Sequence, residues 1–65
     1  MFQILVVEDD TELRDLFCTV LMDNGYTAVP AADGLAAFDI LDNTNIDLVI
    51  IHNLPSGKNA VGGGY

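Results

Sequence analysis

The sequence predicts an α/β fold in which three parallel strands alternate with two helices. Three nearly continuous apolar runs supply the strands, and two segments with apolar residues at helical spacing separate them. Strands that are joined through helices form right-handed crossovers, so neighbouring strands run parallel. Sixty-five residues allow one small domain of this kind.

The first strand and the first helix are separated by a change of period near residue 8. Residues 2–7 form a nearly continuous apolar run that is rich in β-branched residues, which favours a central strand that is covered on both faces. From Thr11 onward the spacing becomes helical, with Cys18 beside the apolar stripe rather than within it. The positions of that stripe are Leu13, Leu16, Phe17, Val20 and Leu21. Asp9 or Asp10 can cap this helix, and Asn24-Gly25 predicts its end.

The remaining elements follow in the same alternation. Residues 26–29 predict a short second strand, and residues 47–51 predict a third strand that is again nearly all apolar. Asp33-Gly34 opens the second helix between them. Its apolar positions are Leu35, Ala36, Phe38, Ile40 and Leu41. We expect Phe17 and Phe38 to be core residues.

Composition limits the function classes. Ten acidic residues against Arg14 and Lys58 give a formal net charge of −8, so we expect no direct binding to nucleic acid. Because 51% of the residues are apolar, an acidic disordered tail is excluded as well. The single cysteine cannot form an internal disulfide, and no basic-apolar leader or membrane-length apolar run is present. We therefore expect a soluble cytoplasmic protein with no membrane partner.

Glu8, Asp9 and Asp10 form an acidic cluster at the predicted carboxyl end of the first strand. Ligands of parallel α/β sheets gather at such ends, and Mg²⁺ would relieve the repulsion between these carboxylates. The alternative is that one aspartate caps the helix while the others are solvated. The cluster by itself favours that second interpretation.

Motifs in a fixed order add a family resemblance. They are Ile4 to Asp10, Leu13-Arg14, Gly25-Tyr26, Ala32-Asp33-Gly34 with Ala37, and Asp47 to Ile50. Together they resemble the N-terminal half of bacterial two-component receiver domains, those of response regulators with winged-helix output domains. The resemblance covers residues 2–52. It implies a partial flavodoxin-like fold with strand order 2-1-3, which lacks the last two strands and the last three helices of a complete receiver.

The resemblance also implies roles for individual residues. Glu8 and Asp9 match the acidic pair that holds Mg²⁺, and position 52 matches the aspartate that accepts a phosphoryl group from a sensor histidine kinase. Position 52 is His52, and an imidazole cannot form an aspartyl phosphate. We therefore predict no catalytic residue, no enzyme activity and at most a weak, incomplete Mg²⁺ site at Glu8 and Asp9.

Residues 53–65 depart from the family pattern and predict an irregular tail after a partial receiver domain at residues 1–52. This departure favours a truncated receiver over a natural degenerate one. The unpaired edge of the third strand predicts a homodimer. The alternatives are a degenerate receiver that acts as an interaction module and, ranked last, a flavodoxin-like nucleotide-binding enzyme, because carboxylates after the first strand would repel phosphate.

Overall fold

The computed structural model describes residues 1–52 of the chain. Its elements are β1 (Gln3–Val7), α1 (Thr11–Asp23), β2 (Thr27–Ala31), α2 (Gly34–Asn43) and β3 (Leu48–Ile51). The three strands form one parallel sheet in the order β2-β1-β3. The predicted alternation, the parallel pairing and the partial receiver architecture are confirmed.

The central strand β1 explains why residues 2–7 lack polar alternation. Ile4 and Val6 pack with α1 on one face, and Leu5 and Val7 pack with α2 on the other. All four side chains are at most 2% exposed. A strand that is covered on both faces has no position for a solvated polar side chain.

Helix α1 is bounded as its sequence predicts. The Asp10 carboxylate accepts a hydrogen bond from the Leu13 N–H at 3.0 Å, and Gly25 follows the helix with a φ of +90°, a conformation that favours glycine. The placement of Cys18 beside the apolar stripe is wrong, because Cys18 is buried against Ile4 and Val6. Burial raises the pKa of the Cys18 thiol, with a further contribution from Asp15, which fits an unreactive structural cysteine.

Helix α2 begins at the predicted cap, where the Asp33 carboxylate accepts a hydrogen bond from the Ala36 N–H at 2.9 Å. Its core face is made of small and β-branched residues: Ala36, Ala37 and Ile40. The prediction that Phe38 is a core residue is wrong, since Phe38 is 67% exposed. Helical spacing alone cannot choose between two apolar stripes on the same helix, and the stripe that packs on the sheet is the one with the smaller side chains.

Strand β2 continues two residues beyond its prediction, through Pro30 to Ala31. Proline lacks a donor for the strand ladder and is tolerated at the edge of a sheet, where β2 lies. At the other edge lies β3, which has Leu48, Val49 and Ile51 exposed. No helix in residues 1–52 is long and apolar enough to cross a bilayer.

Candidate functional site

The acidic cluster divides into three different environments. Glu8 follows β1 directly, donates its backbone N–H to the Ala31 carbonyl at 3.0 Å, and has a completely buried side chain. Asp9 is exposed, and Asp10 is the exposed cap of α1. Three adjacent carboxylates therefore have three different roles, and only Glu8 belongs to the interior of the protein.

Both carboxylate oxygens of Glu8 are engaged. The backbone N–H of Asp10 donates to Oε2 at 2.8 Å, and Nδ1 of His52 makes a short contact with Oε1. A buried carboxylate needs such partners, because an unpaired buried charge is costly. This pair of contacts identifies Glu8 and His52 as a single unit, although they are 44 residues apart in the sequence.

The electrostatics of Glu8 follow from these partners. Its hydrogen bond with the Asp10 backbone lowers the pKa of the carboxyl from the ordinary 4.5, burial opposes that change, and the His52 side chain adds to the lowering. Glu8 is thus held as an anion. A lowered pKa in the folded state means that this carboxylate stabilises the fold above its ordinary pKa and loses that contribution as the pH falls through the lowered value.

His52 is fixed by the end of the sheet and by α1. Its backbone N–H donates to the Val7 carbonyl at 3.0 Å, which places residue 52 beside Glu8. Its ring meets the Phe17 ring edge-on with the centroids 5.2 Å apart. The side chain is 46% exposed.

Arg14 supports the same corner of the molecule. Its Nη1 donates to the Glu8 backbone carbonyl at 2.8 Å, which ties α1 to the end of β1. Arg14 is the only lysine or arginine among residues 1–52. The sequence did not predict this contact. Six positions separate Arg14 from Glu8, and the end of a strand, a turn and the start of a helix lie between them, so neither the helical nor the strand period relates the two residues.

The donor set does not fit a tight Mg²⁺ site. Mg²⁺ prefers several oxygen ligands in octahedral geometry, whereas here both Glu8 oxygens have other partners and a nitrogen ligand stands at position 52. Within the part of the chain that the structure describes, no group of three or more His, Cys, Asp or Glu residues is placed to hold a metal ion. The weak site at Glu8 and Asp9 stays a prediction.

An apolar groove begins at His52 and runs between α1 and β3, with a volume of about 460 Å³. Its lining includes Leu16, Phe17, Val20, Ile50 and His52. Leu16 and Val20 are each about half exposed, as expected for a helix that packs chiefly on β1 and β2. This α1–β3 groove is an apolar concavity that adjoins the Glu8–His52 pair.

Comparison of the sequence with known proteins shows which proteins the chain is similar to. The chain is 38% identical over 61 residues to the transcriptional regulatory protein CpxR of Escherichia coli K12, a match that covers 94% of this chain and 26% of CpxR. It is 39% identical over 57 residues to the phosphate regulon transcriptional regulatory protein PhoB of the same organism, covering 86% of this chain and 25% of PhoB. The relatives that this chain matches are response regulators, and the match is consistent with a partial receiver domain.

A third response regulator, the regulatory protein VanRc of Enterococcus gallinarum, is 35% identical over 49 residues, covering 75% of this chain and 21% of VanRc. The chain thus spans about a quarter of the length of these curated relatives. No family model matches the chain, and no solved structure matches it either. The structure brings together Glu8 and His52, the two positions to which the resemblance gives metal binding and phosphoryl acceptance, and those roles stay predictions.

Proposed function

We propose that this chain is a receiver-type module of phosphorelay signalling that does not accept phosphate at the family's acceptor position. The observation that carries the proposal is the contact between His52 Nδ1 and the buried Glu8 carboxylate. At the family's acceptor position an imidazole, His52, stands in place of the carboxylate nucleophile, and the Glu8 carboxylate is the partner of that imidazole. Two requirements of aspartyl phosphorylation, the nucleophile and a free acidic pair, are lost together.

The partners follow from the family and from the charge. We propose that the full-length relative receives its signal from a sensor histidine kinase in the cytoplasm. This chain itself acts neither as an enzyme nor as a nucleic-acid binder. A phosphate backbone would meet ten acidic side chains and only Arg14 within the described residues. At most a weak Mg²⁺ site remains at Glu8 and Asp9.

A second function, an interaction module, is favoured by the exposed side of β3. Among the described residues no strand pairs with β3 on the side away from β1, and Val49 and Ile51 are 39% and 62% exposed. An open edge that carries apolar side chains is a template for pairing with another strand. We propose that it mediates a homodimer, in which the partner supplies the same edge.

The test of the main proposal is chemical labelling. After incubation with acetyl phosphate and Mg²⁺, intact-mass spectrometry is expected to show the unmodified mass, because His52 stands at the family's acceptor position. A response regulator with its acceptor aspartate, treated in parallel, controls for donor activity. A stoichiometric phosphoryl gain on an aspartate of this chain that hydroxylamine removes, as expected for an acyl phosphate, would overturn the proposal.

A further inference from the structure

We infer that two copies of this chain join their β3 strands antiparallel with Ile50 of each copy on the two-fold axis, an inference that rests on the proposed homodimer. The strand order would then be 2-1-3-3-1-2 across the two copies. Three features of β3 support this pairing and its register: the direction of its backbone groups, the faces of its side chains and the absence of charge along its edge.

The backbone pattern shows which groups of β3 lack a partner within the described sheet. His52 donates its N–H to Val7, so residue 52 faces β1. Backbone groups alternate along a strand, and in the register that pairs Val7 with Ile51, residues 48 and 50 also face β1. Val49 and Ile51 therefore direct their N–H and C=O groups away from the sheet. These two residues form the outward edge.

The side chains at this edge suit a second copy. Residues 48–51 are all aliphatic and carry no charge, although ten acidic residues lie elsewhere in residues 1–52. A segment that pairs at this edge must be uncharged where it meets β3, although each copy as a whole is acidic. A second β3 brings an uncharged extended segment with the same exposed Val49 and Ile51. Self-pairing joins the two copies at a place where neither has a carboxylate.

Symmetry restricts the register. A two-fold axis normal to the sheet keeps α1 of both copies on one face, and residues that lie opposite each other across an antiparallel pair share a face. Leu48 and Ile50 face α1, while Val49 and Ile51 face the other side, as their partners in β1 do. Opposed residues must therefore both be even-numbered or both be odd-numbered. The axis then passes through one of the four residues of β3. With the axis at Leu48, the outward groups of Ile51 would face residue 45, which precedes the strand, so Val49, Ile50 and Ile51 remain.

Hydrogen bonds select Ile50. With the axis at Ile50, Val49 of each copy faces Ile51 of the other, and all the outward N–H and C=O groups of these residues are paired. With the axis at Val49, Ile51 would face Asp47, whose N–H donates to the Gln3 carbonyl and whose carboxylate accepts the Gln3 N–H, so the Asp47 N–H is not free for Ile51. With the axis at Ile51, Val49 would face a position beyond the described strand. The Ile50 register alone pairs the outward edge with itself.

The same geometry predicts what the dimer leaves open. Helix α1 lies over β1 and β2, and strands are spaced about 4.8 Å apart, so the two α1 helices would stand roughly 19 Å from each other across the axis. Because helices in contact are about 8–10 Å apart, the two α1 helices would not touch each other. The two α1–β3 grooves would merge into one channel with Ile50 and His52 on its floor. Leu16 and Val20 would line its walls and contribute little to dimer formation.

Cysteine cross-linking tests the register. In an antiparallel pair, residues opposed at a non-hydrogen-bonded position have their Cα atoms about 4.5 Å apart, within the range of a disulfide. Under mild oxidation Ile50→Cys is expected to form a covalent dimer at least tenfold faster than the matched variant Val49→Cys. The two Val49 positions would lie about 8 Å apart in this register, too far to bridge. The parent chain, whose Cys18 is buried, is the control for cross-linking through that thiol.

Sedimentation of the reduced variants separates the two claims. Dimers in which Val49→Cys cross-links faster than Ile50→Cys would overturn the register and leave the proposed homodimer standing. Dimers in which neither variant cross-links would overturn edge pairing through β3. Folded monomers that do not cross-link would overturn the homodimer itself. Leu16→Ala, a change in the groove wall, is expected to leave the sedimentation unchanged.

Discussion

Replacing Val49 with proline is expected to convert the homodimer into a folded monomer. Val49 directs its N–H away from β1, so proline removes an outward donor from each copy without breaking the ladder to β1. Two lost hydrogen bonds at about 0.5–1.5 kcal/mol each weaken the dimer by about fivefold to 150-fold, before the clash of the ring with the facing strand is counted. Sedimentation equilibrium measures the change.

A control must separate edge pairing from a general loss of apolar surface. Leu35→Ser removes a side chain that is 81% exposed on α2 and is expected to leave the dimer intact. Ile51→Lys keeps the backbone donor but adds a charge to the edge, and is expected to dissociate the dimer as well. Circular dichroism checks that each variant is folded. A Val49→Pro chain that stays dimeric and folded would place the interface elsewhere.

Replacing His52 with aspartate is expected to make the stability of the chain depend on Mg²⁺. The introduced carboxylate would lie against the buried Glu8, which loses its imidazole partner, so the metal-free variant should unfold at a lower temperature than the parent. The same change restores an oxygen ligand. A ligand that binds only the folded state raises its stability, and each kcal/mol corresponds to about 4–8 °C in a domain of this size. Thermal denaturation with and without millimolar Mg²⁺ measures both effects.

His52→Asn provides the matched control for that variant. Asparagine is close to aspartate in size but adds no charge, so its unfolding temperature is expected to respond to Mg²⁺ no more than that of the parent. If the parent gained as much stability from Mg²⁺ as the aspartate variant does, the view that His52 displaces the metal from Glu8 would be wrong.

The fold could be predicted because local signals agree with one another along most of the chain. The unbroken apolar run of β1, the Asp10 and Asp33 caps and the Gly25 stop each act within a few residues. Two errors arose where tertiary packing decides. Cys18, which was expected beside the apolar stripe of α1, is buried against the sheet. Phe38, which was expected in the core, is exposed, because α2 packs on the sheet through its smaller residues. The prediction of an irregular tail concerns residues 53–65 and lies outside the described residues.

The sequence predicted which residues lie at the candidate site, but it did not predict the contacts between them. The family resemblance pointed to Glu8, Asp9 and position 52, and the parallel sheet brings Glu8 and His52 together. Neither spacing nor composition could indicate that His52 would bind Glu8, since that contact depends on β3 pairing with β1 in a particular register. The support from Arg14 likewise depends on how α1 leaves β1.

Nitrogen-15 spectroscopy of the imidazole of His52 tests the central claim most directly. If His52 is the partner of Glu8, Nδ1 of the neutral ring carries the proton and directs it at the carboxylate, so the long-range ¹H–¹⁵N spectrum should show the Nδ1–H tautomer. Glu8→Gln, which can offer only its amide oxygen to that proton, is expected to shift the Nδ1 resonance strongly. A neutral ring protonated at Nε2, with a spectrum that Glu8→Gln leaves unchanged, would contradict the account.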